Sequence, residues 1–114
     1  MTAAEKLDWE AICLREDLVP GAGVCALVGQ QHVALFYLPG KDESLYAIGN
    51  YDPIGEASVL SRGIVGSIGD RLVVASPLYK QHFDLATGEC LEEEDVSVPV
   101  YEVRLDGDKV LLRP

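Results

Sequence analysis

Ser76, His82 and Asp84 place a hydroxyl, an imidazole and a carboxylate on one stretch of chain, the residue types of a hydrolase triad. In such a triad the base must reach the nucleophile and a third group must orient the base. Three residues on one loop do this only with a sharp G-x-S-x-G elbow, which the sequence lacks. In an alternating strand, His82 and Asp84 would share one face while Phe83 points to the core. They read as loop side chains, not as a catalytic set. Gly21-Ala22-Gly23-Val24-Cys25-Ala26 fits the dinucleotide pattern G-x-G-x-x-A, with Asp42 or Glu43 placed as a ribose-binding acid would be. That pattern holds a pyrophosphate only where it follows a strand and opens a helix. Here it follows Pro20 and enters a β-branched stretch, so it reads as a turn before a strand.

Metal chemistry has five candidate ligands, Cys13, Cys25, Cys90, His32 and His82, scattered singly without a C-x-x-C pair. A mononuclear zinc site or an iron–sulfur cluster draws its ligands from short paired spacings, so no metal motif stands out. Three cysteines leave one over from any disulfide framework, and they read as small buried hydrophobes. The formal charge of −10, from 9 basic and 19 acidic residues, disfavours nucleic acid. It keeps the chain soluble or steers it toward a basic patch on another protein. Residues 1–10 carry three acids and one lysine without an apolar signal core, and the longest apolar runs fall far short of the ~20 residues needed to span a bilayer. A cytoplasmic protein with reduced thiols is expected.

These residues need elements to position them, and the pattern is all-β. With 114 residues, 48% of them apolar, the chain fits one domain over residues 1–114. Strands are expected at 24–28 and 32–38 around Gly29-Gln30-Gln31, with Pro39-Gly40 as the stop, and at 44–48, closed by Asn50-Tyr51-Asp52-Pro53. Further strands at 64–68 and 71–75 flank Gly69-Asp70, and a last hairpin runs 98–105 and 109–112 about Asp106-Gly107. Residues 54–60 read as loop or one helical turn, and the acidic stretch 89–95 as a solvated loop. Short strands at regular intervals imply an antiparallel sandwich or small barrel with two long loops, 51–62 and 76–88. Loops of that length usually carry function.

Those two loops carry a resemblance. Asn50-Tyr51-Asp52-Pro53-Ile54 with Leu60-Ser61-Arg62-Gly63, and then Ser76-Pro77-Leu78-Tyr79-Lys80-Gln81-His82-Phe83-Asp84-Leu85-Ala86-Thr87-Gly88, resemble the cluster loops of Rieske-type ferredoxin domains. That family reads N-x-C-P-H with a later S-R-G, then C-P-x-H-G-x-x-F-D-L-x-T-G. The likeness runs the length of the chain in strand order, from Trp9, Ile12 and Cys13 to the closing hairpin. It retains Asn50, Pro53, Arg62, Gly63, Pro77, Phe83, Asp84, Leu85, Thr87 and Gly88. The four ligand positions hold Asp52, Ile54, Ser76 and Tyr79 in place of Cys, His, Cys and His. Isoleucine has no donor atom, and a serine and a tyrosine are poor substitutes for thiolate and imidazole. The expectation is a Rieske-like fold without its cluster.

The wording of residues 50–53, 59–66 and 75–85 is most similar to the small-subunit family of assimilatory NAD(P)H-dependent nitrite reductases, in which nitrite is reduced to ammonium. The resemblance implies a large-subunit partner carrying FAD, an iron–sulfur cluster and sirohaem. On this chain it implies no cofactor, no metal and no catalytic residue, so the isolated chain is not expected to be catalytic. A tip built from the two loops would present Tyr51, Ile54, Leu78, Tyr79, Lys80, Gln81 and His82 to that partner. The mixture of aromatic, aliphatic and polar side chains suits an interface centre. Ile54 and Tyr79 could equally fill the space that a cluster would take. A ferredoxin ligating metal through Asp52, His82 and a cysteine, and a stand-alone binding domain, are the alternatives.

Overall fold

The computed structural model describes residues 9–38 and 44–113. Pro39-Gly40, Asp42 and Glu43 lie outside them. The strands are β1 (Glu10–Leu14), β2 (Gly23–Val28), β3 (Gln31–Leu38), β4 (Ser44–Gly49), β5 (Tyr51–Asp52), β6 (Ala57–Ser58), β7 (Ile64–Ile68), β8 (Arg71–Ala75), β9 (His82–Asp84), β10 (Val100–Asp106) and β11 (Lys109–Arg113). Single 3-10 turns occupy Arg15–Asp17 and Leu60–Arg62. The all-β expectation holds.

Six strands form one antiparallel sheet in the order β1-β11-β10-β4-β3-β2, which curls until its outer strands β1 and β2 approach each other. Val33, Leu35, Ala47, Val110 and Leu112 fill the concave side. On the other face Ala34, Phe36 and Ile48 pack against Val74 and Phe83 of a second layer, the three-stranded sheet β7-β8-β9, together with Leu60 of the 3-10 turn and Leu85 just past β9. Residues 33–36 of β3 are therefore buried on both sides, which is why Val-Ala-Leu-Phe runs apolar there without alternation, while Gln31 and His32 at the start of the strand are exposed.

Trp9 is clasped by the guanidinium groups of Arg104 and Arg113, 4.3 and 4.7 Å from its ring, so cation–π contact fastens the start of β1 to the closing hairpin.

Three expectations change. Residues 51–62 form the short ladder β5–β6, Tyr51 pairing Ser58 and Asp52 pairing Ala57, followed by the 3-10 turn. The second long loop contains β9, paired with β8 through Val73–Asp84, Val74–Phe83 and Ala75–His82. The last hairpin starts at Val100, not at residue 98, because Pro99 has no N–H to donate; its carbonyl instead accepts the Gly49 amide at 2.9 Å.

Candidate functional site

Two turns of the same construction meet at the end of β8. In Asp52-Pro53-Ile54-Gly55-Glu56, Asp52 is 0% exposed. Its Oδ1 accepts the Ile54 amide at 2.8 Å and the Gly55 amide at 3.1 Å, and its carbonyl accepts the Glu56 amide at 2.7 Å. In Ser76-Pro77-Leu78-Tyr79-Lys80, Ser76 is 1% exposed. Its Oγ accepts the Leu78 amide at 3.3 Å and its carbonyl the Lys80 amide at 3.0 Å.

In each turn a short polar side chain bonds the backbone two residues on, and proline fixes φ at the next position. Each ends in left-handed backbone, Glu56 at φ 56° and Lys80 at φ 64°, the two non-glycine residues with positive φ among the described residues. The turns are joined where their first residues meet: Ser76 Oγ donates to Asp52 Oδ2 at 2.5 Å. Both buried polar groups are thereby satisfied within the protein. Gly55 lies under Leu78. A Cβ there would stand 2.5 Å from Leu78 Cδ1 and 3.0 Å from Asp52 Oδ2.

Behind the turns lies a rigid frame. Asn50 Oδ1 accepts the Ser61 amide at 2.7 Å, holding the 3-10 turn against β4. Asp84 Oδ1 accepts the amides of Ala86 at 2.7 Å and Thr87 at 2.9 Å, and its Oδ2 pairs with Arg71 Nε at 2.6 Å. Burial works against the Asp84 charge, yet the bonds from Arg71 and the Thr87 and Ala86 amides hold its carboxyl below the ordinary 3.8. Gly63 and Gly88 sit where a Cβ would collide with backbone, at 2.3 Å from the Ala75 carbonyl and 2.1 Å from the Val98 carbonyl. Gly88 also has φ 80°. These residues are structural joints, which explains the F-D-L-x-T-G wording without any cofactor.

Of the residues singled out in the sequence, the structure bonds Asp52 to Ser76, keeps Ile54 on the first turn and Leu78, Tyr79 and Lys80 on the second, and gives His82 and Asp84 other partners. Ile54 is partly buried and packs against the core of Phe83 and Leu85. Tyr79 is 65% exposed and fills no interior space. Tyr51, Leu78 and Lys80 are exposed, while Gln81 is partly buried. His82 is turned away from Ser76. Its amide and ring nitrogen Nδ1 each lie 2.7 Å from the Glu92 carboxylate. Ser76, His82 and Asp84 thus have three separate partners and make no triad.

The acidic stretch is solvent-exposed from Glu92 to Asp95, as expected of a solvated loop, and Glu92 ties it to His82. Burial opposes the Glu92 charge, but the His82 amide and ring hold that carboxyl below its usual range. Cys90 beside it is buried. Cys25, expected inside, is exposed, because the parity of β2 turns Val24, Ala26 and Val28 inward; its sulfur accepts from Asn50 Nδ2 at 3.6 Å. Among the described residues no group of three or more His, Cys, Asp or Glu is arranged to hold a metal ion. Nor is any helix among them long and apolar enough to cross a membrane.

Sequence reasoning missed the Asp52–Ser76 bond and the His82–Glu92 pair, both of which join residues distant in the chain. Aspartate and serine, each before proline, signal the two turns but not the bond between them.

Residues 8–113 match the Rieske-like [2Fe-2S] domain family. The chain is 48% identical over 105 residues to the NADH nitrite reductase small subunit of Salmonella typhimurium, a match spanning 92% of this chain and 96% of that one. The chain belongs to the nitrite reductase small-subunit family. Among solved structures, the NMR structure of the Escherichia coli protein NirD superimposes on this small-subunit fold with a TM-score of 0.82 and 46% identity, covering 93% of this chain and 96% of that one. The NAD(P)H nitrite reductase large subunit of Klebsiella oxytoca is 36% identical over 102 residues, covering 90% of this chain and 10% of that polypeptide. A small-subunit-like segment is there part of the large-subunit chain itself.

Proposed function

We propose that this chain is the cluster-free small subunit of an assimilatory nitrite reductase. It acts in the cytoplasm as a single domain, residues 1–114, and docks on a large subunit that carries FAD, an iron–sulfur cluster and sirohaem and reduces nitrite to ammonium with NAD(P)H. The Klebsiella polypeptide supports the partnership, since a segment fused to a large subunit in one protein is suited to bind it as a separate chain in another.

The reading that the chain holds no cluster rests on the donor set. A Rieske centre needs two thiolates on one iron and two imidazoles on the other. At the four corresponding positions, Asp52 and Ser76 use their oxygens on each other and on the turn amides, Ile54 offers no donor atom, and Tyr79 projects outward. The residues present do not fit the group. The ferredoxin alternative needed Asp52, His82 and a cysteine at one site, but Asp52 is engaged by Ser76 and His82 by Glu92.

The observation that carries the docking reading is the exposed apolar and aromatic tip, Leu78 and Tyr79 on one turn and Tyr51 beside the other, held on turns whose first residues are hydrogen-bonded to each other. Large apolar side chains displayed on a well-ordered support are the usual centre of an interface. Ile54, Lys80, Gln81 and His82 complete the proposed contact around them. The chain then catalyses nothing alone and works by supporting the cofactor-bearing subunit.

Two measurements test this. Anaerobically purified protein is expected to contain no stoichiometric iron or acid-labile sulfide; a brown preparation with charge-transfer bands overturns the cluster-free reading. Replacing Tyr79 and Lys80 together by alanine is expected to weaken co-purification with the large subunit while the free chain stays folded. Undiminished binding would move the interface elsewhere.

A further inference from the structure

We propose that the Asp52–Ser76 hydrogen bond is the cross-link that makes the two turns one docking element, so that these buried residues position the tip for the large subunit without touching it. The proposal rests on the docking reading above and deepens it.

The two turns belong to different ladders, one to β5–β6 and the other to the end of β8. Nothing in the connectivity of the sheets obliges them to move together. Each is closed internally in the same way, by a side chain on the amide two residues on and a carbonyl on the amide four residues on. The bond from Ser76 Oγ to Asp52 Oδ2 therefore ties equivalent points of two self-contained turns. It lies where the resemblance places one ligand from each loop, so a hydrogen bond stands where a metal centre would otherwise bridge.

A second contact reinforces it. Leu78 of one turn packs directly on Gly55 of the other, so closely that a Cβ there would displace the Leu78 side chain. Leu78 and Tyr79 then project from a base whose position is set by both turns. Removing the hydroxyl of Ser76 leaves Asp52 Oδ2 buried without that donor, a loss borne locally by the turns and not by the barrel. An interface anchored on side chains so displayed loses affinity when they must first be reordered.

The test uses the full chain and separately purified large subunit, with three variants. Ser76→Ala removes the donor. Gly55→Ala removes no polar group but drives a methyl between Leu78 and Asp52, and so serves if Ser76→Ala does not fold. Asp52→Asn retains an oxygen for the two amides and a nitrogen for Ser76 Oγ.

In the free chain, hydrogen exchange at the amides of Ile54, Gly55, Leu78 and Lys80 is expected to quicken ~10- to 100-fold in Ser76→Ala and Gly55→Ala, with β3 and β4 amides unchanged. The Kd for the large subunit should rise ~10-fold or more in the same two variants. Asp52→Asn should stay within ~3-fold on both measures. Unchanged exchange in Ser76→Ala and Gly55→Ala overturns the cross-link. Quickened exchange with unchanged affinity, in a background where Tyr79→Ala does weaken binding, overturns the positioning role and leaves the docking reading standing. If Tyr79→Ala is also without effect on binding, the docking reading falls and takes this proposal with it.

Discussion

The first turn, Asp52 to Glu56, and the second, Ser76 to Lys80, share a backbone and differ in what they do with it. In the first, Ile54 packs on the core and Gly55 lies beneath a neighbour. In the second, Leu78, Tyr79 and Lys80 stand in solvent. One turn is a base and the other a display. The difference teaches that the two loops take the same shape from proline, short polar side chains and backbone bonds. The residues at the remaining positions are then free to be spent inward or outward.

Perturbing the frame that delivers the second turn should have the largest effect. Gly63→Ala puts a methyl 2.3 Å from the Ala75 carbonyl, just where β8 delivers the second turn. Because backbone cannot yield as a side-chain tip does, a loss of about 3 kcal/mol or more is expected by thermal or urea unfolding.

The contrast between base and display is sharpened by a pair of truncations. Ile54→Ala should cost roughly 1–2 kcal/mol of stability, less than a fully buried isoleucine because the side chain is only partly covered. Tyr79→Ala should stay within about 0.5 kcal/mol on the same assay while weakening binding to the large subunit. The opposite pattern would exchange the roles assigned to the two turns.

The frame behind the second turn should show itself through pH. Asp84 has a folded-state pKa below its ordinary 3.8, so between the two values the unfolded chain binds the extra proton and stability rises with pH. Its contribution is fully present above that ordinary value and is lost as pH falls through the folded one. Asp84→Asn should cost roughly 1–2 kcal/mol at neutral pH and flatten the dependence of unfolding midpoint on pH below about 4, whereas replacements in the display should leave that slope unchanged.

The smallest effect is expected at the end of the second turn. Lys80 holds φ 64°, which glycine adopts freely. Lys80→Gly should leave stability unchanged or raise it by about 0.5 kcal/mol, in spite of removing a charge from the proposed contact. A clear loss would mean that the lysine side chain supports the turn.

Much of this fold was legible in the residues. The hairpins at 64–75 and 100–113 announce themselves through Gly69-Asp70 and Asp106-Gly107 between alternating apolar stretches, and β7 and β8 have the bounds that reading assigns. The two-residue strands β5 and β6 could not be read, because so short a pairing leaves no periodicity. In β9 the order His82-Phe83-Asp84 suggested the right faces, Phe83 inward, but not the partners. Glu92 reaches His82 and Arg71 reaches Asp84 only after the chain has folded back. The site followed the same division. Wording such as S-P-x-x-x-x-x-F-D-L-x-T-G identified the frame, whereas the Asp52–Ser76 bond spans separate ladders, and long-range pairing of two common polar residues carries no local pattern. Cys25 shows the converse failure: an apolar neighbourhood in sequence suggested burial, and strand parity decided otherwise.

The central claim is that this small subunit binds through the joined turns. It is tested most directly by hydrogen exchange on the full chain, alone and saturated with large subunit. Protection is expected to concentrate in peptides covering residues 51–56 and 76–82, with the β10–β11 hairpin unaffected. Protection confined to the barrel strands or to the 89–95 stretch, with both turns exchanging as in the free chain, would contradict it.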